Sequence, residues 1–167
     1  MATLKTIGFD EYVDGLENIY EQSEKTVGKM IYEGAGTVAD AVRASIASIP
    51  SREIYETSGG SRHQRGITDV ERKGLSDTLG ISRVRNDNGF INVRIGFDGY
   101  NDHVTANYPK GHPNSMVARS IESGTSWLDK TPFIAPAVAA SRNKAEQVME
   151  EIFDNSNKGN VWGRYRK

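Results

Sequence analysis

Residues 34–39, Gly-Ala-Gly-Thr-Val-Ala, match the spacing of a dinucleotide-binding glycine loop. In such a loop the glycines let backbone N–H groups approach a pyrophosphate, at the mouth of a helix that follows a strand. Here the motif lies inside an apolar stripe at helical spacing with no strand before it, so its small residues read as a site of close helix packing. His63, His103 and His112 supply imidazoles. All three fall in expected loops, and none has a partner four residues away or a ligand pair at metal-site spacing. Asp98, Asn101 and Asp102 cluster oxygen ligands, but without the ordered acids and terminal glutamate of a calcium loop. No serine sits in a nucleophile elbow, and Glu122 alone makes no acid–base pair. With no cysteine in the chain, thiol catalysis, disulfides and cysteine-ligated zinc are excluded. The residues imply no catalytic group, no cofactor and no metal.

Charge narrows the partners. The net charge is −1 over 167 residues, too balanced for nucleic acid as the main partner. Its distribution is uneven. Asp10, Glu11, Asp14, Glu17, Glu21, Glu24 and Glu33 face only Lys5, Lys25 and Lys29 in the first 33 residues, whereas residues 158–167 are purely basic. Opposite-sign ends suit head-to-tail contacts between subunits, although a solvated surface is the favoured reading. Trp162 and Tyr165 in the basic tail could stack on nucleic acid, though a solubilising end that orders on a protein partner accounts for the same residues. With 37% hydrophobic residues the polar surface is large relative to the core, an arrangement that gains stability from association with further copies. No run resembles a signal peptide or could span a bilayer, so synthesis in the cytoplasm and no membrane partner are expected.

The elements that would hold these residues follow from periodicity. Tyr12, Leu16, Ile19 and Tyr20 predict a short amphipathic helix over 10–23. Val27, Met30, Ile31, Ala35, Val38, Ala39, Val42 and Ile46 predict a longer one over 24–48, ended by Pro50. Residues 51–66 are polar, glycine-containing and aperiodic, and read as an exposed mobile loop. Thr68 and Glu71 form a capping box ahead of a short helix with Leu75 and Leu79. Ile91, Val93, Ile95 and Phe97 alternate as a strand after an Asn88-Gly89 turn, although its partner over 81–86 is poor because Ile81 and Val84 fall on opposite faces. After a second loop, Asn114 or Ser115 caps a helix carrying Met116, Val117 and Ile121 that stops at Gly124. A last helix covers about 134–153. The expectation is one α+β domain over 1–153, a small antiparallel sheet packed by a long helix from the N-terminal half and a C-terminal helix, followed by a flexible basic tail over 154–167.

The most punctuated stretch is IESGTSWLDKTPFIAPAV, from Ile121 to Val138. Gly124 can take a left-handed conformation at a helix end, and Thr125 or Ser126 can satisfy orphan backbone groups. Pro132 and Pro136 fix φ and remove donors on either side of Phe133, which is expected in the core. Trp127 reads either as a core plug or as an interface anchor.

The chain resembles the neck or tail-completion proteins of long-tailed phages, the gene-product-ten-like morphogenesis family. The likeness spans roughly residues 7–153. It rests on Gly8-Phe9-Asp10 opening two N-terminal helices, a long Ala/Val-rich helix ending near Pro50, the GLSDTLGIS segment and the FINVRIGF strand. Its specific part is Glu122-Ser123-Gly124-Thr125 followed by Pro132-Phe133-Ile134-x-Pro136-Ala137. Many relatives carry a bulky residue where Ser123 stands, and the 51–66 loop and polar tail look lineage-specific. The resemblance implies a structural virion protein with no enzymatic activity, a six-fold homo-oligomeric ring in the neck that completes the tail and joins head to tail. Its implied neighbours are head-connector and tail-terminator or tail-tube proteins, with DNA met only in the ring lumen. A tail terminator or head-closure stopper ring is the related alternative. A nucleotide- or nucleic-acid-binding enzyme using residues 34–39 or the basic tail is the alternative of another class.

Overall fold

The computed structural model describes the backbone of residues 9–157 and the side chains of residue 20 and residues 22–156. Its first element is a correction. The two expected N-terminal helices are one, α1 (Phe9–Ser48), 40 residues and roughly 60 Å long at about 1.5 Å per residue. No proline interrupts it, and Ala35, Ala39, Val42 and Ile46 repeat at four, three and four on one buried face. Pro50 bars a further turn, and the last carbonyls are taken by a residue distant in sequence. The Arg72 guanidinium donates to the Ile46 (2.8 Å), Ala47 (3.1 Å) and Ile49 (2.7 Å) carbonyls. Gly34 lies in this helix, where an added Cβ would stand 2.9 Å from Met149 Cγ and 3.6 Å from the Ala145 carbonyl. The close helix packing expected of residues 34–39 is therefore present at Gly34, and at Gly36 nothing lies within 4 Å.

The segment expected to be a loop over 51–66 is a hairpin of β1 (Glu53–Glu56) and β2 (Arg62–Arg65). Its missing apolar face is replaced by polar ties. Arg52 donates to the Gly66 carbonyl (2.9 Å), Gln64 Oε1 (2.6 Å) and Glu71 Oε2 (2.5 Å), all part-buried. Glu71 also closes the expected capping box with Thr68 at the start of α2 (Asp69–Thr78), so one carboxylate joins hairpin and helix.

The expected single sheet is divided into three two-stranded antiparallel ladders, of which β1–β2 is one. β3 (Leu79–Ile81) pairs with β6 (Ile95–Phe97), and β4 (Arg85–Asp87) with β5 (Phe90–Asn92). The turn between β4 and β5 holds Asn88 at φ 56° and Gly89 at φ 87°, the geometry their types favour. Between the Ser82–Arg94 hydrogen bond and the Arg85–Asn92 pair, two residues, Arg83 and Val84, face one, Val93. That β-bulge is the reason Ile81 and Val84 are out of phase in the sequence.

Helix α3 (Asn114–Ser123) has Pro113 at its N-cap without a side-chain cap bond, rather than Asn114 or Ser115. Asn114 is instead fully buried, its amide nitrogen donating to the Asp98 carbonyl (3.1 Å). Helix α4 (Ile134–Asn157) runs four residues past its expected end. The basic residues of the expected tail, 158–167, lie outside the described residues, as does Gly8 of the expected opening phrase. The α+β architecture is as expected, with α1 packed along α4. One core joins them, in which Val42 and Ile46 meet Ile67, Leu75, Ile121, Phe133 and others.

Candidate interface at the corner between α3 and α4

The residues that carry the sequence signature are brought together at one corner. Helix α4 begins at Ile134, so the N–H groups of Phe133, Ile134 and Ala135 have no partner within it, nor would one at residue 136. The Glu122 carboxylate, from the last turn of α3, accepts the first three at 2.7, 2.8 and 3.0 Å. Residue 136 is a proline and has no N–H to satisfy. One glutamate and one proline thus complete the helix start, and the negative charge sits at the positive end of the α4 dipole. Burial pushes the Glu122 carboxyl up. The Ile134, Phe133 and Ala135 N–H donors and the Lys130 charge outweigh it and hold the group below the ordinary glutamate value.

Between the helices the chain folds back tightly. Gly124 has φ 75° and ψ 170°, a glycine-only region rather than the left-handed helical one expected from the sequence. A Cβ there would lie 3.0 Å from the Lys130 nitrogen and 3.1 Å from the Leu128 carbonyl. Thr125 holds the loop, its N–H donating to the Leu128 carbonyl (2.8 Å) while its hydroxyl oxygen accepts from the Leu128 N–H (3.0 Å). Thr131 N–H returns to the Ile121 carbonyl (2.8 Å). Phe133 is 2% exposed, as the sequence led one to expect, with the Phe97 ring 6.2 Å away centroid to centroid. Ala137 is buried beside it, and Pro132 and Pro136 are exposed. Trp127 is 50% exposed, so of its two readings the core plug is excluded.

The corner is also tied to the hairpin, a contact that no local pattern in the sequence signals. Gln64 N–H donates to the Trp127 carbonyl (2.9 Å) and Asp129 N–H to the Gln64 carbonyl (2.8 Å), laying 127–129 parallel to β2. Tyr55 hydroxyl donates to Asp129 Oδ2 (2.6 Å), and His63 Nδ1 stands 3.7 Å from Asp129 Oδ1. The bond to Asp129, with desolvation and the Asp129 charge behind it, raises the Tyr55 phenol above its ordinary value. A cleft of about 360 Å³ opens here, lined by His63, Ser123, Gly124, Thr125, Leu128, Asp129 and Lys130.

No family model matches the chain, and no curated protein or solved structure shows significant similarity to it.

The other sequence candidates are dispersed. His103 and His112 rings lie 4.9 Å apart, and Tyr108 stacks edge-on to His112 at 4.7 Å. Asn101 turns inward, its Oδ1 accepting from the His103 (3.0 Å) and His112 (3.1 Å) N–H groups, and so organises the second loop rather than presenting a ligand. Among the described residues no three His, Asp or Glu side chains converge as a metal-binding group. No described helix is long and apolar enough to cross a membrane. Chemically, the corner offers a rigid surface with an exposed indole, a carboxylate already engaged by a phenol, and a helix start already filled.

Proposed function

We propose that the protein is a structural component of a tailed-phage neck, a subunit of an oligomeric ring that completes the tail and joins it to the head. One observation carries this reading: the Glu122 carboxylate closes the start of α4, so the residues on which the family resemblance rests form one spatial unit. That unit fixes the angle of α4 and, with it, the presentation of Trp127. Closed rings need a defined angle between neighbouring subunits, because an error repeated at every contact leaves the ring open. A capped, positive-φ corner is a means of holding such an angle. The exposed Trp127 supplies an aromatic anchor of the sort that dominates contact energy. Neighbouring head-connector and tail-terminator or tail-tube proteins are the partners this role entails.

The test is assembly itself. Negative-stain microscopy and light scattering of the purified protein should show rings or ring-forming oligomers, and phage carrying Gly124→Val should accumulate heads and tails that fail to join. A Gly124→Val phage joining at wild-type yield would remove the corner from the mechanism. Loss of tails altogether would move the protein from the joint to tail assembly.

A further inference from the structure

The turn between β4 and β5 carries the chain's single Asn-Gly pair, Asn88-Gly89. Both residues are exposed, and Asn88 is the only described residue besides glycine with a positive φ. An asparagine amide followed by glycine is open to attack, because the next backbone nitrogen lies within reach of Cγ and glycine has no Cβ to screen it. At Gly89 nothing would stand within 4 Å of an added Cβ, so the approach is open to water as well.

One neighbour intervenes. The Gly89 N–H, whose nitrogen would be the nucleophile, donates to Asn86 Oδ1 at 2.7 Å. The other end of the same side chain, Asn86 Nδ2, donates to Glu24 Oε1 of α1 at 2.6 Å. A carboxylate only accepts and a backbone N–H only donates, so these two partners fix one orientation of the Asn86 amide. Val84 packs the hairpin onto the same stretch of α1, its Cγ1 lying 3.3 Å from where a Gly28 Cβ would stand. Helix α1 therefore holds Asn86, and Asn86 holds the nitrogen that would attack Asn88.

We propose that Asn88 is a site of spontaneous deamidation whose rate is set by the Glu24–Asn86–Gly89 relay, slow while the hairpin lies on α1 and faster when it lifts. In the reaction the Gly89 nitrogen bonds to Asn88 Cγ, the Cγ–Nδ2 bond breaks, and ammonia departs with the proton that Gly89 loses. Water then opens the cyclic imide at either carbonyl to leave aspartate or isoaspartate. The bond to Asn86 opposes the first step, since the Gly89 nitrogen must give up that proton and turn toward Cγ. Both products place a new negative charge beside Asp87, and isoaspartate adds a backbone carbon to a two-residue turn. Turn length sets hairpin register, so the isoaspartate product also disturbs the β4–β5 pairing and, through Asn86, its tie to Glu24. The inference does not depend on the assembly reading.

The experiment holds the full-length protein in mildly alkaline buffer and follows Asn88 by peptide mapping, reading the gain of one mass unit and the isoaspartate formed. A free peptide of residues 84–93 supplies the unguarded rate. The parent protein should convert at Asn88, but at least roughly five-fold more slowly than the peptide, the factor that one hydrogen bond of ordinary net strength supplies. Asn86→Ala and, separately, Glu24→Ala should raise the rate toward the peptide's with unchanged far-ultraviolet circular dichroism. Glu24→Gln keeps an accepting oxygen and should stay at the parent's rate. Should Asn86→Ala disturb the hairpin, Glu24→Ala gives the reading alone, since alanine suits the helix it enters. A parent that matches the peptide, or that shows no conversion while the peptide is consumed, overturns the proposal. So does an Asn86→Ala protein that converts at the parent's rate. Acceleration by Asn86→Ala without acceleration by Glu24→Ala removes α1 from the relay and overturns the coupling to hairpin docking.

Discussion

The two halves of α1 belong to one unbroken helix and behave as different kinds of surface. From Gly34 to Ile49 the chain is drawn into the core. Small residues admit α4, Val42 and Ile46 are 3% and 0% exposed, and Arg72 closes the helix end. Further forward, Tyr20 is 65% exposed, and Tyr32, 43% exposed, lines an open groove. Helical periodicity is the same in both, so amphipathicity alone does not say whether a face is core or contact. The difference comes from what the rest of the chain brings to each half. Among the described residues, the rear half meets α4, α2 and the corner, whereas the front half lies beside Val84 and Asn86 of the bulged hairpin.

Substitutions on either half, and at the corner behind it, sharpen that contrast. Phe133→Ala removes a ring that is 2% exposed against the rear half, and should cost about 3–5 kcal/mol, lowering the melting temperature by about 10 °C. Tyr32→Ala on the front half should stay within about 0.5 kcal/mol, and equal losses in thermal melts would erase the distinction. Arg72→Met should cost about 2 kcal/mol, since it strips charged donors from three carbonyls at the rear end of α1. Amide exchange at residues 43–49 should accelerate with it while exchange near residue 25 does not.

Glu122→Gln tests the corner that presses α4 onto the rear half, and should cost about 1 kcal/mol at neutral pH, as for other lost caps. The folded-state pKa of Glu122 is lowered, so its contribution is complete above the unfolded-state value and is lost as pH falls through the folded one. Urea melts of parent and variant should therefore converge as pH falls below the ordinary glutamate range. A gap that persists at the acid end would assign the effect to packing instead. A gain in stability is expected at one of the two neighbouring glycines of α1. Gly36→Ala has free space around the new methyl group and should stabilise the helix by roughly 0.5–1 kcal/mol. Gly34→Ala pushes on Met149 and should give less or none of that gain.

The sequence by itself determined whatever depends on neighbours a few residues apart. The long apolar stripe of α1, the Thr68–Glu71 capping box, the Asn88-Gly89 turn and the burial of Phe133 between its prolines were all legible. Each is a local preference that the fold did not override. The helix boundary expected near residue 23 was not real, because a change in polarity is not a break when no glycine or proline enforces one. Only the tertiary structure decided the rest. The 51–66 segment lacks periodicity and still forms a hairpin, since its hydrogen bonds to 127–129 and the Arg52–Glu71 pair come from partners outside it. Glu122 was a motif letter until α4 folded back to offer three N–H groups, and Arg72 was an ordinary helical cation until α1 ended beside it. A charged side chain's role is set by which unpaired backbone groups come within about 3 Å of it, and that is fixed only when separate elements meet.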